Sequence, residues 1–177
     1  MIVIDVETSG LFPDKNSILS VGAIEYENHG NWFYQECRPW DGAEITDKAL
    51  EVNGFTREYI EKVELTPGEL CLKLVEWMGG VEDITYAGYN VAFDHGFMKA
   101  QFERSGIKWP FGFRWVDAHS VAYFAMDATE RPLYHRNSSL SLDKALEFNF
   151  LEPEQKPHNS LVGAQKVFEL LRKIKEE

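Results

Sequence analysis

Residues 2–11, which read IVIDVETSGL, decide the fold. Their β-branched side chains predict a buried strand that ends at the turn-forming TSG. Asp5 and Glu7 lie two positions apart, so both side chains leave the same face of the sheet. One interpretation is an acidic strand end that rises into solvent. The other is a pair of carboxylates that share a cation, because like charges this close repel each other.

The order of strand-like and helix-like runs predicts an α/β fold. The predicted strands are 1–7, 18–27, 31–39, 84–90 and 113–118. The predicted helices are 46–55, 66–80, 93–104, 119–126, 141–148 and a terminal helix from about 161, and the polar residues 127–139 predict a surface loop. Short loops join the first three strands into an antiparallel meander, whereas alternation of strand and helix afterwards predicts parallel crossovers. We expect a mixed five-stranded sheet, three strands antiparallel and two parallel, flanked by helices in a single domain over 1–177.

Composition limits the kind of partner and the cellular setting. The formal net charge of -11 argues against a protein held on nucleic acid or on an anionic membrane by its overall field. Any polyanionic substrate must then be held locally, by metal ions or by a few placed cations. Cys37 and Cys71 are far apart and predict neither a disulfide framework nor a zinc site. We therefore expect a soluble cytoplasmic protein without a signal peptide or a membrane span.

A second acidic position follows the fourth predicted strand, in AGYNVAFDHGFM (87–98). Taken alone, Asp94 is a favourable first-turn residue that faces the positive end of the helix dipole. Neighbouring strands would, however, bring it close to Asp5 and Glu7 at one edge of the sheet. Three converging carboxylates form a hard oxygen site that suits magnesium or manganese.

His158 lies in a loop that enters the terminal helix, where no apolar periodicity explains it as a core residue. A histidine beside a metal-bound water is well placed to remove its proton, because its ordinary pKa lies near neutrality. His95, next to Asp94, is more easily explained as structural. The remaining histidines are interpreted as surface or packing residues: His29, His119 and His135.

Three motifs in this order resemble the DEDD superfamily of 3′-to-5′ exonucleases, in the DEDDh branch that carries a catalytic histidine. Asp5 to Leu11 match D-x-E-T-x-G-L, and Asn90 to Asp94 match N-x-x-F-D. From His158 to Ala164 the chain follows H-x-x-x-x-D-A, except that Gly163 stands at the aspartate position. The likeness runs from Ile2 to about Leu171, and its branch includes polymerase proofreading subunits and RNase T. It implies an RNase H-like fold.

The resemblance also implies roles for these residues around two Mg²⁺ or Mn²⁺ ions. Asp5 would contact both ions, Glu7 the ion on the nucleophile side and Asp94 the other, with His158 as the base. A single-stranded DNA or RNA 3′ end would be the substrate, and the motifs favour neither nucleic acid. The implied substrate-binding residues are Thr8, Gly10, Leu11, Phe12, Asn90 and Phe93, although Thr8 to Leu11 also suit an ordinary turn. A polymerase or a second copy of the chain is a conceivable partner.

Gly163 removes one expected ligand of the first metal, which should weaken that site on the order of 100-fold or more. Glu169 falls on a different face of the terminal helix. Glu154 lies in a loop that could approach, but the sequence gives no strong reason to expect a replacement. The loop cations could hold phosphates, although each is more simply explained as a solvated charge: Arg131, Arg136, Lys144 and Lys156.

Three hypotheses follow from the glycine. The chain is an impaired exonuclease, an inactive module that binds nucleic-acid ends or regulates, or an active enzyme into which the glycine was introduced.

Overall fold

The computed structural model describes residues 1–126 and 140–176, and within them the predicted mixed five-stranded sheet is confirmed. Its strands are β1 (Ile2–Thr8), β2 (Ile18–Glu25), β3 (Trp32–Glu36), β4 (Tyr86–Gly88) and β5 (Trp115–Asp117). They lie in the order β3-β2-β1-β4-β5. The β1–β2 and β2–β3 pairs are antiparallel, and the β1–β4 and β4–β5 pairs are parallel. β1 is therefore the central strand, where the meander meets the parallel half.

Helices cover the sheet at nearly all the predicted places. They are α1 (Asp47–Asn53), α2 (Arg57–Lys62), α3 (Pro67–Met78), α4 (Ala92–Arg104), α5 (Ala118–Ala125), α6 (Leu142–Phe148) and α7 (Ser160–Glu176). The sequence did not predict α2, because six residues that bury only Ile60 give no helical periodicity. The predicted loop 127–139 lies outside the described residues. In the described parts of the chain, no helix is long and apolar enough to cross a membrane.

The two faces of β1 separate the core from the acidic pair. Ile2, Ile4 and Val6 pack into a cluster with residues of α3 and α4. Val3 packs on the opposite face, with residues of α7. Since side chains alternate along a strand, Asp5 and Glu7 share the face of Val3. The acidic pair therefore lies on the side of the sheet that α7 covers.

A glycine on β2 allows the first turn of α7 to lie directly on the sheet. Gly22 pairs with Asp5 across the β1–β2 ladder. A Cβ atom at Gly22 would lie 2.2 Å from the carbonyl oxygen of Ser160 and 2.3 Å from the backbone nitrogen of Leu161. The Ser160 hydroxyl also lies 2.8 Å from the Ser20 hydroxyl, in a buried hydrogen bond. Position 22 therefore sets how closely α7 approaches the acidic pair.

We expect Gly22→Ala to destabilise the protein, because its methyl group would meet backbone that cannot move without displacing α7. Overpacking of this kind costs about 1–3 kcal/mol, which lowers the Tm by several degrees and is measurable by thermal unfolding. Gly112→Ala is the control, since a Cβ there has no neighbour within 4 Å among the described residues. Equal melting temperatures for the two variants would contradict the close approach.

Candidate active site

The structure brings the three predicted carboxylates together. Asp5 and Glu7 come from β1, and Asp94 lies in the first turn of α4. The backbone N–H of Val6, between the two β1 acids, donates to Oδ1 of Asp94 over 3.0 Å. Asp94 is thus hydrogen-bonded to the part of β1 that carries the other two acids, and it lies close to them as the sequence predicted.

The turn before α4 fixes the direction in which Asp94 enters the site. Asn90 adopts a left-handed backbone conformation with φ of 54°, which asparagine tolerates better than most residues. Its N–H donates to Oδ1 of Asp117, at the end of β5, over 2.9 Å. Asn90 is exposed and does not line the cavity described below. Its predicted contact with substrate therefore stays a prediction, and the turn gives this residue a structural role.

The pKa values of the three carboxyl groups are raised, which favours their protonated forms. Burial, followed by the charges of Asp94, Glu7 and Glu154, raises the pKa of Asp5 well above its usual range. Burial and the charges of Glu154 and Asp94 raise the pKa of Glu7 to about 8. Burial raises the pKa of Asp94 to about 7, although the Val6 N–H opposes the shift. Among residues 1–126 and 140–176, no lysine or arginine forms an ion pair with these three acids.

Gly163 lies directly against Asp5, in the first turn of α7. Its N–H donates to the carbonyl oxygen of Asn159 over 2.8 Å, as in a regular helix. A Cβ atom at this position would lie 2.4 Å from Oδ2 of Asp5. The Asp5 carboxylate therefore fills the space that a side chain at position 163 would need.

His158 is positioned by backbone and side-chain contacts just before α7. Its N–H donates to the carbonyl oxygen of Val52 in α1 over 3.1 Å. Its Nδ1 lies 3.0 Å from Oε2 of Glu154. Glu154, which the sequence indicated could approach, therefore lies beside the predicted base. Glu169 instead pairs with Lys166 at 2.9 Å on α7.

Of the other predicted side chains near the site, some have structural roles. His95 packs among Tyr86, Trp109 and Trp115, with ring centroids 4.8–5.6 Å away, which agrees with its structural interpretation. Lys156 is exposed. The predicted cations Arg131 and Arg136, together with His135, lie outside the described residues.

An open cavity of about 510 Å³ begins at Glu7 and extends over the loop that follows β1. Five of the predicted substrate-binding residues line it: Thr8, Gly10, Leu11, Phe12 and Phe93. Leu11 and Phe12 are 71% and 60% exposed, so their apolar surfaces face the opening. The opposite wall comes from α1 and was not predicted, because nothing in the α1 sequence indicates which element it faces.

The loop after β1 is stabilised by Asn16, which the sequence analysis did not single out. A Cβ on Gly10 would lie 2.4–2.6 Å from the amide group of Asn16. The Asn16 amide accepts from the Phe12 N–H at 2.9 Å and donates to the Glu44 carbonyl oxygen at 2.8 Å. The Thr8 hydroxyl donates to the Gly10 carbonyl oxygen at 2.7 Å. Gly10 is thus required by the loop itself, whether or not a nucleotide approaches it.

Residues 2–171 match the model of the Exonuclease (RNase T) family. The chain belongs to that family. Its members are hydrolases that act on nucleic acids, and the match includes every carboxylate described above, together with His158 and Gly163.

Two curated relatives of this exonuclease illustrate its range. The 3′-5′ DNA exonuclease Cap18 of Escherichia coli is 29% identical over 134 residues, which cover 73% of this chain and 71% of the relative. The PolC-type DNA polymerase III of Thermotoga maritima is 27% identical over 111 residues, which cover 61% of this chain but only 8% of the polymerase.

Solved structures share the fold of the exonuclease over 99% of its length. The nuclease domain of 3′hExo, a DEDDh family member bound to rAMP, superposes with a TM-score of 0.77 at 16% identity, over 90% of that chain. E. coli exonuclease I, in complex with a dA16 oligonucleotide, superposes with a TM-score of 0.76 at 19% identity, over 40% of that chain. These likenesses confirm the RNase H-like fold that the motifs implied.

Exonucleases of the DEDD group use divalent metals, and the donor set of this chain fits such an ion in its chemistry. Asp5, Glu7 and Asp94 offer the oxygen ligands that Mg²⁺ and Mn²⁺ prefer. One buried oxygen of Glu154 has no hydrogen-bond partner in the part of the chain that the structure describes. In the positions shown, no group of three His, Cys, Asp or Glu side chains within the described residues forms a preformed metal site. Binding an ion therefore requires these carboxylates to draw together.

We expect the metal-free exonuclease to lose stability as the pH rises from about 5 to 8. In this range the folded state keeps protons on its raised-pKa carboxylates that the unfolded state has already released, so the free energy of unfolding falls. Each unit of pKa shift corresponds to about 1.4 kcal/mol. Glu7→Gln should flatten the fall in Tm, measured in EDTA at several pH values.

Glu51→Gln, an exposed substitution on α1 with the same change in charge, is the control for this experiment. It should keep the slope of the parent protein. If Glu7→Gln and Glu51→Gln give the same dependence of Tm on pH, the burial and repulsion assigned to Glu7 are wrong.

Proposed function

We propose that this chain is a metal-dependent 3′-5′ exonuclease that hydrolyses phosphodiester bonds at single-stranded nucleic-acid 3′ ends, within one domain over 1–177. Its turnover is impaired because Gly163 replaces the fourth metal-binding aspartate. One observation carries the proposal: the half-buried Glu7 belongs both to the cluster of carboxylates with raised pKa values and to the wall of the exposed apolar cavity. A nucleotide in that cavity would place its phosphate next to the acids.

In this proposal, different residues bind the metal, accept the proton of water and orient the base. Asp5, Glu7 and Asp94 hold Mg²⁺ or Mn²⁺, which when bound polarises the phosphate and acidifies water. His158 receives the proton of the attacking water. Because Glu154 lies beside Nδ1 of His158, a neutral imidazole keeps its proton on Nδ1 and leaves the lone pair of Nε2 free to accept one. Glu154 thus selects the tautomer that a base requires.

Substrate binding in this proposal combines apolar contact with local charge. Leu11 and Phe12 offer exposed apolar surfaces on which a terminal base can pack. Lys15 and Lys48 line the same cavity and supply positive charge in a chain whose net charge is -11. The oligonucleotide complex of exonuclease I and the naming of Cap18 as a 3′-5′ DNA exonuclease support single-stranded DNA as the first substrate to test. The two buried cysteines, both free thiols, support a reducing cytoplasm as the setting.

The second candidate function is an inactive module that binds nucleic-acid ends, as Gly163 specifically favours. Loss of one metal ligand leaves the cavity and its apolar residues intact. Such a module would bind a 3′ end without hydrolysing it. The first experiment below separates the two functions.

We expect the purified protein to shorten a 5′-labelled single-stranded oligonucleotide stepwise from its 3′ end in the presence of Mn²⁺. EDTA should abolish the ladder. Asp94→Asn should reduce the rate on the order of 100-fold, through weaker metal binding. His158→Ala should lower kcat by about 10²–10⁴-fold, the usual contribution of general base catalysis. Matched DNA and RNA strands identify the nucleic acid.

A protein that binds the labelled strand but never shortens it would support the binding module instead. Gly163→Asp then extends the test. An increase in Mn²⁺-dependent degradation indicates that the remaining site is intact and lacks only its carboxylate.

We expect Leu11→Ala and Phe12→Ala to raise KM for the oligonucleotide with a smaller effect on kcat, because these side chains contact the base and not the scissile phosphate. Stacking on an aromatic side chain contributes about 1–3 kcal/mol per base, so KM should rise by about 5-fold or more. Phe113→Ala is the matched control, since Phe113 is 82% exposed and does not line the cavity. Unchanged KM values for both cavity variants would show that the substrate binds outside this cavity.

A further inference from the structure

We propose that Glu154 partly replaces the fourth metal-binding carboxylate, which Gly163 lacks. The inference rests on the proposed function and deepens it, because it assigns a ligand that the sequence motifs do not contain. In the motifs the carboxylate follows the histidine by five residues, inside the terminal helix. In this chain it precedes the histidine by four residues and comes from the loop before α7.

The two carboxylate oxygens of Glu154 differ in their hydrogen bonding. The side chain is only 7% exposed. Oε2 lies 3.0 Å from Nδ1 of His158, and the Asn159 backbone N–H also acts on this carboxylate, whereas the buried Oε1 has no hydrogen-bond partner among residues 1–126 and 140–176. A buried carboxylate oxygen without a partner is costly, since desolvation of a charged group is not offset. A cation that Oε1 can bind would remove that cost.

The charge of Glu154 acts on the two acids of β1. Among neighbouring charges it contributes most to the raised pKa of Glu7, and it also raises the pKa of Asp5. Both are carboxylates that the proposed function assigns to the metal. An acidic loop residue would normally turn into water to escape such repulsion, but the Glu154 side chain is only 7% exposed and lies against His158.

The loop between α6 and α7, which carries Glu154, is anchored on both sides of this residue. The N–H of Glu154 donates to Oδ1 of Asp143 in α6 over 3.1 Å, and His158 at the other end of the loop donates to Val52 in α1. The segment between them also packs on α1, since a Cβ on Gly54 would lie 2.7 Å from the ring of Pro157. Glu154 is thus held at both sides, and its position does not depend on a free loop end.

The glycine at position 163 leaves a gap beside α7. With no side chain at position 163, the Asp5 carboxylate leans into the gap beside α7. A glutamate has one more methylene than an aspartate, so it can reach the shared acids from a backbone that lies outside the helix. The two oxygens of Glu154 then have separate tasks, with Oε2 fixing His158 and Oε1 contacting the metal.

The test is direct measurement of Mn²⁺ binding, by electron paramagnetic resonance of free Mn²⁺ or by calorimetry, which does not depend on activity. Glu154→Gln keeps an oxygen that can accept from Nδ1 of His158 but loses the negative charge. We expect the Mn²⁺ Kd to rise about 10- to 100-fold, the loss typical of a group that supports a metal. Glu152→Gln, with the same change two residues away at an exposed position, should leave the Kd unchanged.

A second background tests whether Glu154 replaces the missing aspartate. In Gly163→Asp protein, the added carboxylate should make Glu154 dispensable for the metal, so Glu154→Gln should raise the Kd less than about 3-fold. An equal rise in both backgrounds would overturn the replacement role. Thermal unfolding in EDTA confirms that each variant folds, and the Mn²⁺-induced increase in Tm should shrink only for Glu154→Gln in the parent background.

The outcomes distinguish this inference from the proposed function. If the parent protein binds Mn²⁺ and Glu154→Gln binds it equally well, Glu154 is no ligand while the exonuclease proposal stands. If the parent protein shows neither Mn²⁺ binding nor a ladder on the oligonucleotide, the proposed function is wrong and the role of Glu154 falls with it.

Discussion

The close approach of helix α7 to strands β1 and β2 is the constraint on which the site depends. Gly22 on the sheet lets the Ser160 backbone lie directly over β2, and Gly163 on the helix leaves room for the Asp5 carboxylate. Any larger residue at position 22 would push the helix away. The same contact places the first turn of α7 beside the Asp5 carboxylate. Packing and chemistry are therefore set by one helix-to-sheet interface.

This arrangement is costly without a cation. Burial raises the pKa of all three carboxyl groups, and charges of neighbouring acids add to the shift. The apolar face of β1 offsets this cost, since Ile2, Ile4 and Val6 are almost completely buried against α3 and α4. The central strand thus has one face that stabilises the fold and one that carries an unfavourable charge. Such a division is expected of a strand that combines a structural and a chemical task.

Much of this could be predicted from sequence because it depends on local pattern. Alternation along β1 placed Asp5 and Glu7 on one face, and the strand–turn–helix run placed Asp94 beside them. The short helix α2 was missed because it has too few residues to show a period. Other features depend on contacts between distant segments, which local pattern does not contain. Asn16 reaches Gly10 only after the loop has folded, and α1 forms a wall of the cavity only because of the path of the loop before it.

Glu154 shows the same limit at the site itself. Sequence spacing identified the position where a ligand is absent, since spacing within a helix is regular. It could not identify the proposed replacement, because the path of a loop between α6 and α7 depends on the anchors at Asp143 and Val52. A charge can act on a metal from any direction, provided that an oxygen reaches it. A motif that fixes the sequence position of a ligand is therefore stricter than the chemistry requires, and the loss of a motif residue does not by itself mean the loss of a carboxylate.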